Sequence, residues 1–130
     1  MRTHGFHHLA IQARDVEKTT AFYRDVLGLP EQVRHLSPDG SLRSVWLSVP
    51  GGGFLAIEAC EGEPPGDHFR TSRAGLHLFA LRIERGDRDA VERELGERGV
   101  PVVFRTAFTL YVRDPEGNRV GLSHHPHEAA

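Results

Sequence analysis

Phe6-His7-His8-Leu9-Ala10-Ile11 and Gly75-Leu76-His77-Leu78-Phe79-Ala80-Leu81 decide the reading of this chain, because they open two copies of one pattern. Each is a short apolar run around a His. Each is followed by an acidic helix start (Asp15, Asp87) and a helical pattern that closes on Gly with an apolar-Pro pair behind it, Gly28-Leu29-Pro30 and Gly99-Val100-Pro101. The two His are 69 residues apart, the two Asp 72 and the two Gly 71. Near-constant offsets argue for two copies of one supersecondary unit. Such a repeat puts two imidazoles at matching points of a pseudo-symmetric fold, where they can converge on one site.

Outward from these runs the elements follow. Residues 6–12 alternate and are rich in strand formers, so they predict a strand. Asp15 is a good N-cap. Val16, Thr19, Thr20, Phe22, Tyr23, Val26 and Leu27 then fall at helical spacing, and Gly28 stops the helix. Residues 31–36 predict a weak strand, Ser37-Pro38-Asp39-Gly40 a turn, and 43–49 and 54–60 two further strands around Pro50-Gly51-Gly52-Gly53. The first half is therefore βαβββ. A polar, Pro/Gly-rich stretch over 61–74 is a linker. The second half repeats the order. Strand 75–83 precedes helix 87–98, with Ala90, Val91 and Leu95 inward and Glu94/Arg98 as an i,i+4 pair. Strands 101–104, 108–113 and 118–123 follow, the last two joined by the turn Asp114-Pro115-Glu116-Gly117.

Composition narrows the class. The 130 residues suit one domain, 1–130, built of two modules, 5–60 and 75–123. A net charge of −2 leaves no nucleic-acid footprint and no attraction to a membrane surface. No apolar run approaches a membrane span, and Arg2, His4, His7 and His8 interrupt any signal-peptide core. The single Cys60 excludes an internal disulfide and is read as a small buried hydrophobe. A reducing, cytoplasmic location is the default. Nine His are many for this length, and their placement matters.

The order βαβββ–linker–βαβββ, with a His in the first strand of each half, resembles the vicinal oxygen chelate superfamily, which includes glyoxalase I, extradiol dioxygenases, fosfomycin-resistance transferases and bleomycin-binding proteins. The resemblance rests on His8-Leu9-Ala10-Ile11 with Asp15, on Ala21-Phe22-Tyr23-Arg24-Asp25-Val26-Leu27-Gly28, on Gly75-Leu76-His77, and on Leu110-Tyr111-Val112-Arg113-Asp114-Pro115-Glu116-Gly117-Asn118. It implies an α+β fold in which two U-shaped sheets form a cleft. It also implies metal ligands from the first and last strand of each half: His8 and Glu58, then His77 and position 121. Many metal-dependent members carry Glu at the fourth position, and this chain has Gly121.

Two imidazoles and a carboxylate can hold a divalent metal with open positions. Glu58 adds its own argument, as a carboxylate in an otherwise apolar strand that is costly unless paired or metal-bound. It shares a face with Phe54, Ala56 and Cys60, while Leu55, Ile57 and Ala59 can pack under the helices. The expectation is thus a metal held by His8, Glu58 and His77 (Fe, Mn, Zn or Ni), acting as a Lewis acid on vicinal oxygens of a small-molecule substrate. The bland alternative has Glu58 facing solvent or an Arg, and both His as polar residues of the cleft wall.

The chemistry is narrowed by Gly121. Glyoxalase I needs a carboxylate base beside its metal. The Glu that resembles that base, and the one fosfomycin transferases use, both fall at Gly121, which disfavours both activities. Tyr111 lies in a run similar to the extradiol dioxygenase signature and is the candidate catalytic residue, able to donate to a metal-bound oxygen. Its plainer reading is a strand aromatic near a turn. The competing class is a bleomycin-resistance-like binding or sequestering protein that holds a flat ligand against Trp46, Phe54 and Phe79, with Gly121 leaving room for a bulky guest.

The remaining His carry less. His7 points to the strand face opposite His8. His124, His125 and His127 belong to a solvated tail. His35 and His68 receive no role. The proteins resembled are mostly dimers, so a homodimer is expected.

Overall fold

A computed structural model describes residues 1–63 and 74–125. The chain divides into two compact units, Met1–Pro64 and Pro65–Ala130.

In the first unit, β1 (His8–Ala13) leads into α1 (Val16–Ala21), and then come β2 (Glu31–Leu36), β3 (Leu42–Ser48) and β4 (Phe54–Ala59). Asp15 caps α1 as expected, its carboxylate accepting the Lys18 N–H at 3.0 Å. The helical pattern read through Leu27 is real, but its last stretch, Phe22–Val26, widens into a π-turn. Leu27 N–H donates to Phe22 C=O, and Leu29 N–H reaches back to Tyr23 C=O across Gly28 at φ +77°. Only glycine enters that left-handed conformation cheaply.

The sheet order is β1-β4-β3-β2, with β1 parallel to β4 and the other neighbours antiparallel. Strand alternation sends Ile11, Ala13, Val45, Leu47, Leu55 and Ile57 to one face, and all six are buried. Val16, Thr19, Thr20, Phe22 and Tyr23 are buried on the helical segment, which packs on β3 and β4. The core therefore lies between helix and sheet. The opposite face carries His8, Ala10 and Gln12 of β1, Phe54, Ala56 and Glu58 of β4, and Ser44, Trp46 and Ser48 of β3. The expected face for Glu58 is thus observed, although Ala59 ends its strand exposed.

The second unit repeats the design with β5 (Phe79–Arg82), α2 (Arg88–Glu97), β6 (Phe104–Arg105), β7 (Thr109–Arg113) and β8 (Arg119–Ser123), in sheet order β5-β8-β7-β6. Leu110, Val112, Val120 and Leu122 form its buried face, and Leu95 is the buried residue of α2. Ala90, expected inward, is exposed. β5 is shorter than the strand predicted over 75–83, so His77 precedes it and is exposed. The Asp114–Asn118 segment is the expected turn. Asp114 Oδ1 accepts the N–H groups of Glu116 and Asn118, both at 2.9 Å.

His124 is a correction. It is 1 % exposed rather than part of a solvated tail. Its N–H continues the ladder to Phe108 C=O, and its Nε2 lies 3.3 Å from Arg88 Nη1. Arg88 has only donors to offer, so Nε2 accepts. Arg88 also donates to Thr106 and Ala107 C=O, which ties the start of α2 to the β6–β7 loop. His68 and His127 lie outside the described residues.

Candidate functional site

The face of the first sheet turned away from α1 carries a row of rings across all four strands. His8 on β1 stacks on Phe54 of β4, centroids 4.8 Å apart and planes 6° from parallel. Phe54 stacks on Trp46 of β3 at 4.4 Å and 22°. Trp46 meets His35 of β2 edge-on at 4.6 Å. The register explains the row: His8 is the partner of Phe54, and Trp46 stands beside it on β3, opposite Ala56. Neighbouring strands are about 4.8 Å apart, which is also a comfortable spacing for stacked rings.

His7 was expected on the other face. Because β1 begins only at His8, His7 escapes strand alternation, and its Nδ1 lies 2.9 Å from His8 Nδ1. Its ring also meets Phe54 edge-on. His35, which carries no role in the sequence reading, belongs to the row. The signal available was its parity with Val33 on a strand facing Trp46.

Beyond the rings, Ala10 and Ala56 pair across β1 and β4, and one level further lies a polar set: Gln12 opposite Glu58, Glu58 opposite Ser44, and Ser44 opposite His35. Glu58 is half-buried and, among the described residues, makes no hydrogen bond or ion pair. Ser44 is 2 % exposed. Its Oγ, the Trp46 Nε1 and the His35 Nε2 are buried without a hydrogen-bond partner.

The same register places two of the expected metal ligands. Glu58 lies four residues beyond Phe54, the partner of His8, or about 13 Å along the strand at the usual rise. Two donors on one metal stand no more than about 4.4 Å apart, given bonds of about 2.0–2.2 Å. His8 stacks on Phe54 and lies against His7, so a metal shared with Glu58 would need both side chains to extend toward each other along the strand.

The pseudo-symmetry clarifies this. Gly5 and Gly75 both take positive φ, and from them Gly5-Phe6-His7 matches Gly75-Leu76-His77. His77 therefore corresponds to His7, and Leu78 to His8. On the last strands Ala10 pairs with Ala56 as Ala80 pairs with Gly121. Gly121 thus corresponds to Ala56, and Glu58 to Ser123. Trp46, opposite Ala56, corresponds to Tyr111, opposite Gly121.

Gly121 does not leave room for a guest. A Cβ there would meet Ala80 Cβ and Thr109 Cγ2 at 3.2 Å and Tyr111 Cε1 at 3.3 Å. Tyr111 fills that position, half-buried, with Phe104 6.1 Å away. Phe79, expected on the cleft wall, pairs with Val120 and shares the parity of the buried face.

A model of the glyoxalase/bleomycin resistance protein/dioxygenase superfamily matches residues 5–122. The chain belongs to that superfamily. No curated protein matches it. Among solved structures, a glyoxylase/bleomycin resistance protein/dioxygenase domain from Frankia sp. EAN1pec is similar at 20% identity and a TM-score of 0.74, covering 94% of this chain and 98% of that one. Lactoylglutathione lyase from Agrobacterium tumefaciens is similar at 20% identity and 0.71, covering 96% of each. A variant of the fosfomycin resistance protein FosX from Listeria monocytogenes, complexed with Mn(II) and a dihydroxypropylphosphonic acid, gives 20% and 0.72, covering 94% and 93%. These likenesses show the shared fold: two βαβββ modules in an α+β arrangement. The superfamily includes metal-dependent members, and its members bind small molecules.

Proposed function

We propose that this protein binds a small, flat aromatic molecule on the ring-bearing face of its first sheet, as a binding or sequestering member of its superfamily. The observation that carries the reading is the row His8–Phe54–Trp46–His35, four aromatic side chains in contact across four strands. Aromatic contacts contribute roughly 0.5–1.5 kcal/mol each beyond area burial. A preassembled row offers them to a guest without the entropy of gathering the rings. On this reading Glu58 is a polar anchor rather than a ligand.

The competing proposal is the metal-dependent enzyme with His8, Glu58 and His77 as ligands and Tyr111 at the reacting oxygen. The Mn(II) complex of FosX speaks for it, since a protein of the same fold holds a metal. Against it stand the four-residue offset between His8 and Glu58 and the packing of Tyr111 over Gly121.

The chain has a single tryptophan, so its fluorescence reports on this face alone. Titration with two-ring heteroaromatics such as quinoline should quench or shift the Trp46 emission to saturation, and Phe54→Ala should weaken binding about tenfold or more, as loss of a large central contact does. Saturable binding that leaves Trp46 emission unchanged would place the guest elsewhere and refute the reading.

A further inference from the structure

The polar set beside the rings is unequal between the two units. In the second unit, Thr109 and Ser123 occupy the places that Ser44 and Glu58 hold in the first. There the two are joined, Thr109 Oγ1 donating to Ser123 Oγ at 2.8 Å, and Ser123 Oγ donating on to Phe108 C=O. In the first unit Ser44 Oγ has no partner, although Glu58 is directly opposite it. Trp46 Nε1 and His35 Nε2 are unpartnered on the same face. Buried polar groups are nearly always hydrogen-bonded, so three neighbouring exceptions on one face call for an explanation. A bound molecule that supplies the missing partners is one.

The chemistry of the four groups specifies that molecule. An indole N–H only donates, so Trp46 requires an acceptor. A hydroxyl and an imidazole nitrogen can each join it in donating to the same oxygen. The Glu58 carboxylate only accepts, so it requires a donor. It is also the one Asp, Glu, Lys or Arg on this face of β1, β3 and β4, so no Lys or Arg there offsets its repulsion of an anion.

We propose that this set selects a flat, uncharged guest in which an acceptor oxygen lies next to an N–H or O–H, as in a lactam. The oxygen is taken by Trp46 with Ser44, and the donor by Glu58. Anionic aromatics are rejected. Entry to the covered atoms falls to His35. It sits on the edge strand beside an irregularity in the β2–β3 register, its ring edge-on to Trp46. The inference rests on the aromatic-guest reading above and adds the guest's polar pattern.

The test uses three guests of similar shape: 2-quinolinone, which carries C=O beside N–H; quinoline, which lacks the pair; and quinoline-2-carboxylate, an anion. In 1H–15N spectra the single Trp46 indole N–H gives one signal. With 2-quinolinone that signal should move downfield, and binding should be about tenfold tighter than for the carboxylate, the scale of a polar group left unpaired. Glu58→Gln should remove most of the discrimination against the carboxylate. Ser44→Ala should weaken 2-quinolinone without lowering stability, because the hydroxyl it removes has no partner in the free protein. Equal binding of 2-quinolinone and carboxylate by the wild-type protein would overturn the inference while leaving the aromatic-guest reading intact. So would a discrimination unchanged by Glu58→Gln. Failure of all three guests to perturb Trp46 would overturn both.

Discussion

At the residue scale, Gly121 has the most consequence. Read from sequence, it is a missing ligand and an opening. In the structure it is a small residue required by its neighbours, with Ala80 on one side and Thr109 and Tyr111 on the other. Ala80 is fixed by the backbone of the adjacent strand and cannot give way. Gly121→Ala is therefore expected to destabilise the fold by about 1–2 kcal/mol, the usual scale of modest overpacking, measured as a lower urea midpoint at unchanged slope. Gly121→Glu should lose more and gain no metal affinity in isothermal titration with Mn(II). Tight Mn(II) binding by that variant would show the position to be a ligand corner after all. Glu58 shows how far a sequence goes at this scale. Its face was legible because alternation is a local property of a strand. Its distance from His8 was not, because that depends on the register between β1 and β4, which are separated in sequence by a helix and two strands.

At the element scale, the strands and helices were legible wherever the periodic pattern was long. The βαβββ order, the Asp15 cap and the Gly28 and Gly99 stops all follow from local chemistry. The second unit's first strand was not placed well. Gly75-Leu76-His77-Leu78 has strand-like composition, yet pairing with β8 starts at Phe79, and that shift removes His77 from the strand. The helix α2 buries less than its pattern suggested. Leu95 is 3 % exposed while Ala90 is exposed, so Leu95→Ala should cost about 2–4 kcal/mol and Ala90→Ser close to nothing, checked by chemical denaturation. The edge strand β2 is tied down by charge. Glu31 accepts from Arg34 at 2.9 Å and from Arg24 at 3.2 Å, and Arg34 also pairs with Glu17. Hydrogen bonds from Arg34 first, then its charge and Arg24, hold the Glu31 carboxyl below its ordinary value. A carboxyl whose pKa is lowered on folding stabilises the native state above its unfolded pKa and loses that contribution as pH falls through the native one. Stability should thus decline below about pH 4.5 partly through Glu31. Glu31→Gln should flatten that decline by less than about 1 kcal/mol, as befits a partly exposed pair. An unchanged acid limb in the variant would remove the network from the account.

At the scale of the whole molecule, the duplication was legible and its phase was not. Counting from the His residues gives an offset of 69, whereas the glycines before each first strand give 70, and the pairing of Phe79 and Leu81 with buried Val120 and Leu122 agrees with an even offset. One residue of phase is enough to exchange His8 for His7 as the counterpart of His77, and a strand face inverts with every such step. The superfamily could be read from the element order, but the use made of its fold could not, since this fold serves metal chemistry and simple binding alike. No helix among the described residues is long and apolar enough to cross a membrane. On the proposed reading the ring-bearing face holds an aromatic guest without a metal. This reading is tested most directly by titrating quinoline against Trp46 fluorescence in a chelator and again with added Mn(II). The same saturable quenching is expected in both. Quenching that vanishes in chelator and returns with the metal would contradict it.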